Sequence, residues 1–334
     1  MIAIKQRILA MDVIRAFAII AVILIHVTGL MLSYSTFNTK IYMQSLMVNQ
    51  LARFSVPAFI ALSGIGISIS YKKDQGYFKF LGHRLYKVVP RYIVWCIIYI
   101  CIINKSFNIS SAVSDILHGT AFYHLYFVPL IVEFYIIFPF VYKFIGSKSS
   151  LILNFIITMF ILIGLHNYVF PSSLESFLDR KNMIDWIFYF SFGAFIGNNR
   201  NLFTEKIHKF RKVICIAFVL VVFGFIYEII INTRMTKNID YTTTFLRPSV
   251  LIYSVILILF IFSINWKNNL FMKIVQYISK SSYGIYLSHP LILYYFSKYY
   301  TDNLLQINSI AFGVKGFLIA FFGGIIINQI RKFP

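Results

Sequence analysis

Long apolar runs alternate with short polar segments along the whole chain. A helix needs about 20 apolar residues to cross the hydrocarbon core of a bilayer, and most of the runs approach that length. They predict ten helices, at residues 12–32, 50–70, 88–104, 124–143, 150–169, 184–198, 213–231, 247–264, 283–299 and 310–327. The expected fold class is an all-α, polytopic integral membrane protein with a single membrane-embedded domain over residues 1–334. The sixth run is short and contains Gly193 and Gly197, so we expect it to be tilted or broken into a half-helix.

Composition and charge narrow the class of protein and orient the predicted helices. The chain is 59% hydrophobic and 13% charged, which excludes an ordinary soluble enzyme and a nucleic-acid-binding module. Of the 31 Lys and Arg residues, 21 fall in inner segments and ten in outer ones when the N-terminus is placed inside. Basic loops stay in the cytoplasm, so both termini are predicted to be cytoplasmic, with the inner loops against anionic membrane lipids. The three cysteines show no disulfide or metal-ligand spacing, and we predict no metal.

The first predicted helix carries three ionisable residues. Arg15 and His26 are eleven residues apart, or about 1,100° of helical rotation, which places both on one stripe about 16 Å apart. Asp12 precedes Arg15 by three residues, in ion-pair position. A charge at bilayer depth costs at least about 2.5 kcal/mol, so these residues are candidates for function. The alternative is that Arg15 only orients the helix and His26 packs in the core.

Two further runs place polar residues at depth. Glu133 lies well inside the fourth run and shares a face with Tyr126, while Pro129 and Pro139 are expected to kink that helix. This pattern predicts a buried carboxyl in a cavity wall, or else a Glu that pairs with a neighbouring Lys or hydroxyl. His289 lies at intermediate depth in the ninth run and, taken alone, indicates packing as readily as chemistry.

The segment between the second and third runs is strongly basic. Arg84, Lys87 and Arg91 are spaced three and four apart, so on a helix they form one cationic face at the inner membrane surface. Such a face suits anionic lipid headgroups or the phosphates of a cofactor, and the sequence does not distinguish the two.

Five elements, in order along most of the chain, resemble motifs of the membrane acyltransferase-3 family. They are Asp12-x-x-Arg15-x10-His26, the segment 57–64 ending in Ser-Gly, Arg84-x-x-Lys87-x-x-Pro90, His124-Leu-Tyr-Phe-Val-Pro129 and Tyr283-Gly-Ile-Tyr-Leu-Ser-His289-Pro290. Two positions depart from the family pattern, which commonly has a second Arg where Lys87 stands and Trp where Tyr126 stands.

The resemblance implies transfer of an acyl group, usually acetyl from acetyl-CoA, to a bacterial envelope glycan or its precursor. It implies that Arg15 and His26 are required, with no metal. In the resulting hypothesis, Arg84, Lys87 and Arg15 hold the phosphates of acyl-CoA, and His26 acts as a general base or as a transient acyl carrier. Orienting or substrate-binding roles are expected for a second group of residues, namely Glu133, Tyr126, His289 and Asp12.

Location and partners follow from the same resemblance. The protein is expected in the bacterial plasma membrane, acting alone or with a separate extracytoplasmic transferase, because no hydrolase-like domain follows the tenth run. Two other interpretations stay open. A transporter or flippase for a glycan or lipid-linked precursor would move substrate without consuming thioester. A non-catalytic subunit of a synthase complex would tolerate substitution of His26.

Overall fold

The structure is a computed structural model that describes residues 8–104, 108–167, 170–178, 182–236 and 242–330. Within these residues every regular element is helical. The elements are α1 (Leu9–Ser33), α2 (Lys40–Leu51), a 3-10 turn (Ala52–Phe54), α3 (Ser55–Ser70), α4 (Tyr77–Tyr99) with a π-helical end (Ile100–Asn104), α5 (Ile109–His118), α6 (Phe127–Ile145), α7 (Lys148–His166), α8 (Ser172–Phe177), α9 (Met183–Asn198), α10 (Arg200–Lys209), α11 (Arg211–Thr236), α12 (Pro248–Ser263), α13 (Leu270–Asp302) and α14 (Ile310–Ile330). The all-α prediction is confirmed for the described residues.

Seven stretches of the described chain are long and apolar enough to cross a membrane, so the protein is an integral membrane protein. They are Leu9–Ser33, Lys40–Ser70, Tyr77–Ile103, Phe127–Ile145, Lys148–His166, Arg211–Met235 and Ile310–Gln329. The other three predicted runs fall in α9 and α12, which have 16 residues each, and in the 33-residue α13, whose turns carry many polar side chains. Ten spans and cytoplasmic termini therefore stay predictions.

Some of the residues used in the charge count lie outside the described part of the chain, as does the end of the fifth predicted run at 168–169. These basic residues are Lys5, Arg7, Lys105, Arg180, Lys181, Lys237, Arg331 and Lys332.

The chain divides into two compact units. Unit 1 comprises Met1–Phe59, Asn201–Thr244 and Ser249–Pro334, and unit 2 comprises Ile60–Arg200 and Phe245–Pro248. The division falls inside α3, after its first five residues.

In unit 1, α13 lies along both α1 and α14, and α2 packs on α1. Two of these helices begin well before the predicted runs, because polar residues interrupt their apolar positions between the helix start and the predicted run. Asn269 caps α13 by accepting a hydrogen bond from the backbone N–H of Met272 at 3.0 Å. Thr39 caps α2 in the same way, through the N–H of Tyr42 at 3.3 Å. These caps mark the starts of the turns that precede the predicted runs.

In unit 2, close helix packing explains the glycines of α9. A Cβ atom on Gly193 would lie 2.0 Å from the carbonyl oxygen of Ala61 in α3, and one on Gly64 would lie 2.3 Å from that of Phe190. These glycines therefore let the two backbones approach closely, as small residues do between membrane helices. Of the two alternatives for the sixth run, the broken half-helix is wrong, because α9 is continuous from Met183 to Asn198, and the tilt stays a prediction.

Candidate active site

Two parallel helices of unit 1, α1 and α13, carry the candidate active site. Arg15 of α1 contacts Ser279 of α13, and His26 of α1 contacts His289 of α13. Residue numbers rise in the same direction along both helices, so the pair is parallel. Because a helix rises about 1.5 Å per residue, the two contacts are about 15 Å apart along the pair. The stripe predicted for Arg15 and His26 therefore faces one neighbouring helix.

The first contact is a polar cluster built around a serine hydroxyl. Ser279 Oγ donates to Asp12 Oδ1 at 2.8 Å and accepts from Arg15 Nη1 at 3.3 Å. The direct separation between Arg15 Nη1 and Asp12 Oδ1 is 4.0 Å, at the outer limit of an ion pair. The side chain of Asp12 is 5% exposed, whereas that of Arg15 is 35% exposed. The cluster thus holds a buried carboxylate next to a guanidinium that reaches a surface of the unit.

The second contact is a pair of imidazoles. The ring centroids of His26 and His289 are 5.2 Å apart, with a tilt of 33° between the ring planes. His289 is fully buried, and its Nδ1 lies 2.9 Å from the carbonyl oxygen of Ile285. A carbonyl oxygen only accepts, so Nδ1 carries the proton, and Nε2 is the acceptor nitrogen of the neutral ring. His26 is half-buried and so is the more accessible of the two imidazoles.

Together these groups can support acid–base chemistry next to an anion-binding group. An imidazole can take a proton from a hydroxyl or carry an acyl group. A guanidinium recognises phosphate by charge-assisted hydrogen bonds. In the described residues no group of three His, Cys, Asp or Glu side chains could hold a metal ion.

Arg84, in unit 2, occupies a different setting. Its Nη2 donates to the carbonyl oxygen of Gly66 at 3.3 Å and to Ser70 Oγ, both in the last turns of α3. Its guanidinium carbon also lies 5.9 Å from the ring centroid of Phe80 and 5.8 Å from that of Tyr135. A cation at a helix C-terminus stabilises the last carbonyls and the helix dipole. Arg84 therefore has a structural function at the end of α3, whatever else it binds.

Lys87 is exposed on the same helix. It belongs to a stripe of exposed basic or titratable residues spaced four apart along α4, namely Lys79, His83, Lys87 and Arg91. Residues four apart on a helix are neighbours, so the stripe forms one continuous face about 18 Å long. Lys87 and Arg91 therefore share one exposed face, as two of the three residues of the predicted cationic face. Arg84 lies off this stripe, with its guanidinium turned to α3.

Glu133 corrects the prediction of a buried carboxyl. It is exposed, as are Ile136, Ile137 and Phe140 at the positions three, four and seven residues further along α6. The opposite face of α6 is the buried one, so Glu133 does not line the packed interior of unit 2. Tyr126 is 8% exposed and lies just before the first turn of α6, so it does not share a face with Glu133.

The two prolines of α6 occupy different positions in the helix. Pro129 lies in the first turn, where its missing N–H costs no helical hydrogen bond. Pro139 lies inside the helix, which continues to Ile145, and the kink expected there stays a prediction. His124, just before the helix, is buried with its ring edge-on to the rings of Tyr99, Phe122 and Tyr123.

The sequence analysis does not identify three polar residues that lie near the His26–His289 pair or in the polar cluster around Arg15. Ser279 is one, because the turns before residue 283 were not predicted to be helical. Asn49 and Arg53 are the others, since Arg53 was counted only as an outer charge. Both are buried, at 1% and 8% exposure. Intramembrane depth was the available signal for Arg53, because a buried guanidinium within an apolar span is costly and needs partners.

Comparisons with known proteins agree with the motifs. The model of the acyltransferase-3 family, described as an acyltransferase domain, matches residues 8–329, and the chain belongs to this family. It is 28% identical over 276 residues to a protein of Staphylococcus aureus strain MSSA476 named "probable poly-beta-1,6-N-acetyl-D-glucosamine export protein", covering 77% of this chain and 75% of the relative. A Staphylococcus epidermidis protein of the same name is 29% identical over 195 residues, covering 56% and 52%. No solved structure matches.

Proposed function

We propose that the protein is an acyltransferase of the bacterial plasma membrane. It moves an acyl group, in the first instance acetyl, from cytoplasmic acyl-CoA to a hydroxyl of an envelope or exported glycan or of a lipid-linked precursor. The observation that carries the proposal is the alignment of the His26–His289 pair with the Asp12–Ser279–Arg15 cluster on two parallel helices. Family membership supports the reaction class. The name of the staphylococcal relatives supports poly-β-1,6-N-acetylglucosamine as a first acceptor to test.

The proposed transfer uses the half-buried imidazole of His26. As a general base, His26 takes the proton of the acceptor hydroxyl while the oxygen attacks the thioester carbonyl. The carbon–sulfur bond breaks, and the CoA thiolate leaves with a proton from the imidazolium. As a nucleophile, His26 instead forms an acyl-imidazole with release of CoA, and the acceptor hydroxyl then takes the acyl group. Both routes give one ester and one free CoA for each thioester consumed.

The remaining residues have supporting roles in the proposal. Arg15 binds a phosphate of the donor, with Asp12 and Ser279 holding its guanidinium in place. His289 orients the His26 ring by packing against it. Lys87 and Arg84 stay proposed donor-phosphate ligands, and Lys87 is the more accessible of the two. Glu133 and Tyr126 stay proposed acceptor contacts, Glu133 through its exposed face.

The test is transfer of labelled acetyl in membranes that contain His26→Ala, compared with His118→Ala as a matched control. His118 is an exposed histidine at the end of α5 and has no part in the proposed chemistry. The expected result is loss of label incorporation into glycan for His26→Ala alone, at equal protein levels. Undiminished incorporation with His26→Ala would refute the catalytic assignment.

A second candidate is export of a glycan or lipid-linked precursor, which the name of the staphylococcal relatives favours. Exporters often place polar groups at breaks in membrane helices, and the stretch Lys40–Ser70 has such a break at Ala52–Phe54. Export predicts movement of glycan across the membrane with no release of CoA. Free CoA, measured on the purified protein with acceptor present, separates the two candidates.

A further inference from the structure

The second predicted span carries buried polar side chains where its helix breaks. Helix α2 ends at Leu51, a 3-10 turn occupies Ala52–Phe54, and α3 continues the same 31-residue apolar stretch. Buried polar residues cluster at this break, namely Asn49, Gln50, Arg53 and Ser55. Short 3-10 segments inside helices often mark functional sites, and a guanidinium at membrane depth is retained only for a reason.

Asn49 joins this break to the turn of α1 that carries His26. Its Nδ2 donates to the carbonyl oxygen of Ile25 at 3.0 Å and to Thr28 Oγ1 at 3.0 Å. These atoms belong to the residue just before His26 and to the residue two positions after it. Asn49 is 1% exposed, so the hydrogen bonds are shielded from water. The amide therefore holds a backbone carbonyl of α1 before the imidazole and a side-chain hydroxyl of α1 after it.

Arg53 determines which way the Asn49 amide points. Its Nε and Nη2 donate to Asn49 Oδ1 at 3.1 and 2.7 Å. Gln50 Nε2 adds a third donor to the same oxygen at 3.2 Å. Because three donors converge on Oδ1, the amide cannot flip without setting its own NH2 group against them. The Nδ2 atom is thereby held toward α1.

We infer that Asn49 and Arg53 are positioning residues for His26, an inference that rests on the proposed function and deepens it. Asn49 holds the α1 turn, and Arg53 holds Asn49. Neither residue is assigned contact with the reacting atoms. A displacement of a reacting group by about 1 Å can cost about 100-fold in rate, so loss of this network should reduce kcat strongly. The KM for acyl-CoA should change little, because the donor-phosphate contacts remain.

Four substitutions test the inference, with Ser45→Ala as the control. Asn49→Asp keeps an acceptor for Arg53 but removes the donor to Ile25, and Asn49→Leu removes both. Arg53→Lys keeps the charge but not the paired donation, and Arg53→Met removes both. Ser45 is buried one turn earlier on α2, where its Oγ lies 3.9 Å from Met31 Sδ.

Two readouts are taken on full-length protein in lipid nanodiscs. The first is kcat and KM for acetyl-CoA. The second is the rate at which diethylpyrocarbonate modifies His26 relative to His118 in the same molecule, measured by peptide mass spectrometry. The second readout does not require enzymatic activity. A wild-type protein that transfers no acyl group would therefore refute the proposed function and leave the positioning inference measurable.

The expected result is a fall of about 10- to 100-fold in kcat for Asn49→Asp, Asn49→Leu and Arg53→Met. Arg53→Lys should lose less, with KM within about threefold of wild type throughout. The His26-to-His118 modification ratio should change at least about twofold in Asn49→Asp, Asn49→Leu and Arg53→Met, and less in Arg53→Lys. Ser45→Ala should leave both readouts unchanged. The inference is overturned if the ratio stays at its wild-type value in the Asn49 and Arg53 variants. The inference is also overturned if Ser45→Ala changes both readouts as much as the Asn49 and Arg53 variants do. That result would indicate that any substitution on α2 disturbs the packing of the helix.

Discussion

Arg15 and Arg84 are two half-buried arginines from two family motifs, and they have different surroundings. Arg15 lies against a serine hydroxyl that is itself bonded to a buried carboxylate, on a helix pair that also carries two histidines. Arg84 lies against the last carbonyls of α3 and between aromatic rings. In the sequence, each arginine is a candidate ligand for a donor phosphate. The comparison shows that charge pattern alone does not reveal whether a guanidinium lies against a carboxylate-bound hydroxyl or against the last carbonyls of a helix.

The largest difference is expected from the paired substitutions Arg15→Ala and Arg84→Ala. Loss of a charge-assisted contact to phosphate is worth about 1.5–3 kcal/mol, so Arg15→Ala should lower kcat/KM for acetyl-CoA by about 10- to 100-fold. Arg84→Ala should lower the thermal midpoint by several degrees, because α3 loses its C-terminal cation. Steady-state kinetics and thermal denaturation in detergent check both. The distinction fails if Arg15→Ala lowers the midpoint as much as Arg84→Ala does.

A smaller effect is expected from Ser279→Ala. The hydroxyl bridges Asp12 and Arg15, and a buried carboxylate loses about 1–3 kcal/mol when a hydrogen-bond donor is removed. We expect KM for acetyl-CoA to rise about 3- to 10-fold while kcat stays near wild type, since the histidine pair is untouched. Ser279→Thr, which keeps the hydroxyl, should restore most of the affinity. Equal losses in both variants would indicate a packing effect.

Lys87→Ala tests the second basic residue of the motif that contains Arg84. Lys87 is exposed, and exposed charges act weakly and are screened by salt. We expect KM for acetyl-CoA to rise about two- to fourfold at low ionic strength and to converge with wild type at about 0.5 M salt. Lys212→Ala, at an exposed lysine of α11, is the control. An identical rise in that variant would assign the effect to total surface charge.

The smallest effect is expected from Glu133→Gln. The carboxyl lies on an exposed stripe of α6, so its loss leaves no buried group without a partner. Protein level and thermal midpoint should stay at wild-type values, and any change should be confined to KM for the acceptor. A large fall in stability would contradict the exposed placement.

Much of the helical architecture could be predicted from hydropathy, because a membrane span must be long and apolar. The ten runs all fall on helices, but α13 was predicted to start thirteen residues late. Its early turns mix apolar and polar side chains and begin at the Asn269 cap, which hydropathy does not detect. Ser279 lies in those turns, and for that reason it was missed.

The candidate site was predictable only where one helix contained both partners. The rotation between Arg15 and His26 placed both on one stripe from the sequence alone, and that stripe faces α13. The contacts of His26 with His289 and of Asn49 with Ile25 join residues 263 and 24 positions apart, which periodicity does not address. Glu133 shows the opposite error. A position deep in a span predicts burial, but the residue lies on the exposed face of α6.

The most direct measurement is free CoA release by purified wild-type protein and by His26→Ala, in nanodiscs supplied with acetyl-CoA and candidate glycan acceptors. The account predicts CoA release by the wild type that depends on acceptor and matches ester formation one for one. It predicts loss of both signals in His26→Ala at an unchanged thermal midpoint. Two results would contradict the account. One is equal CoA release by the two proteins, and the other is movement of glycan by the wild type without any release of CoA.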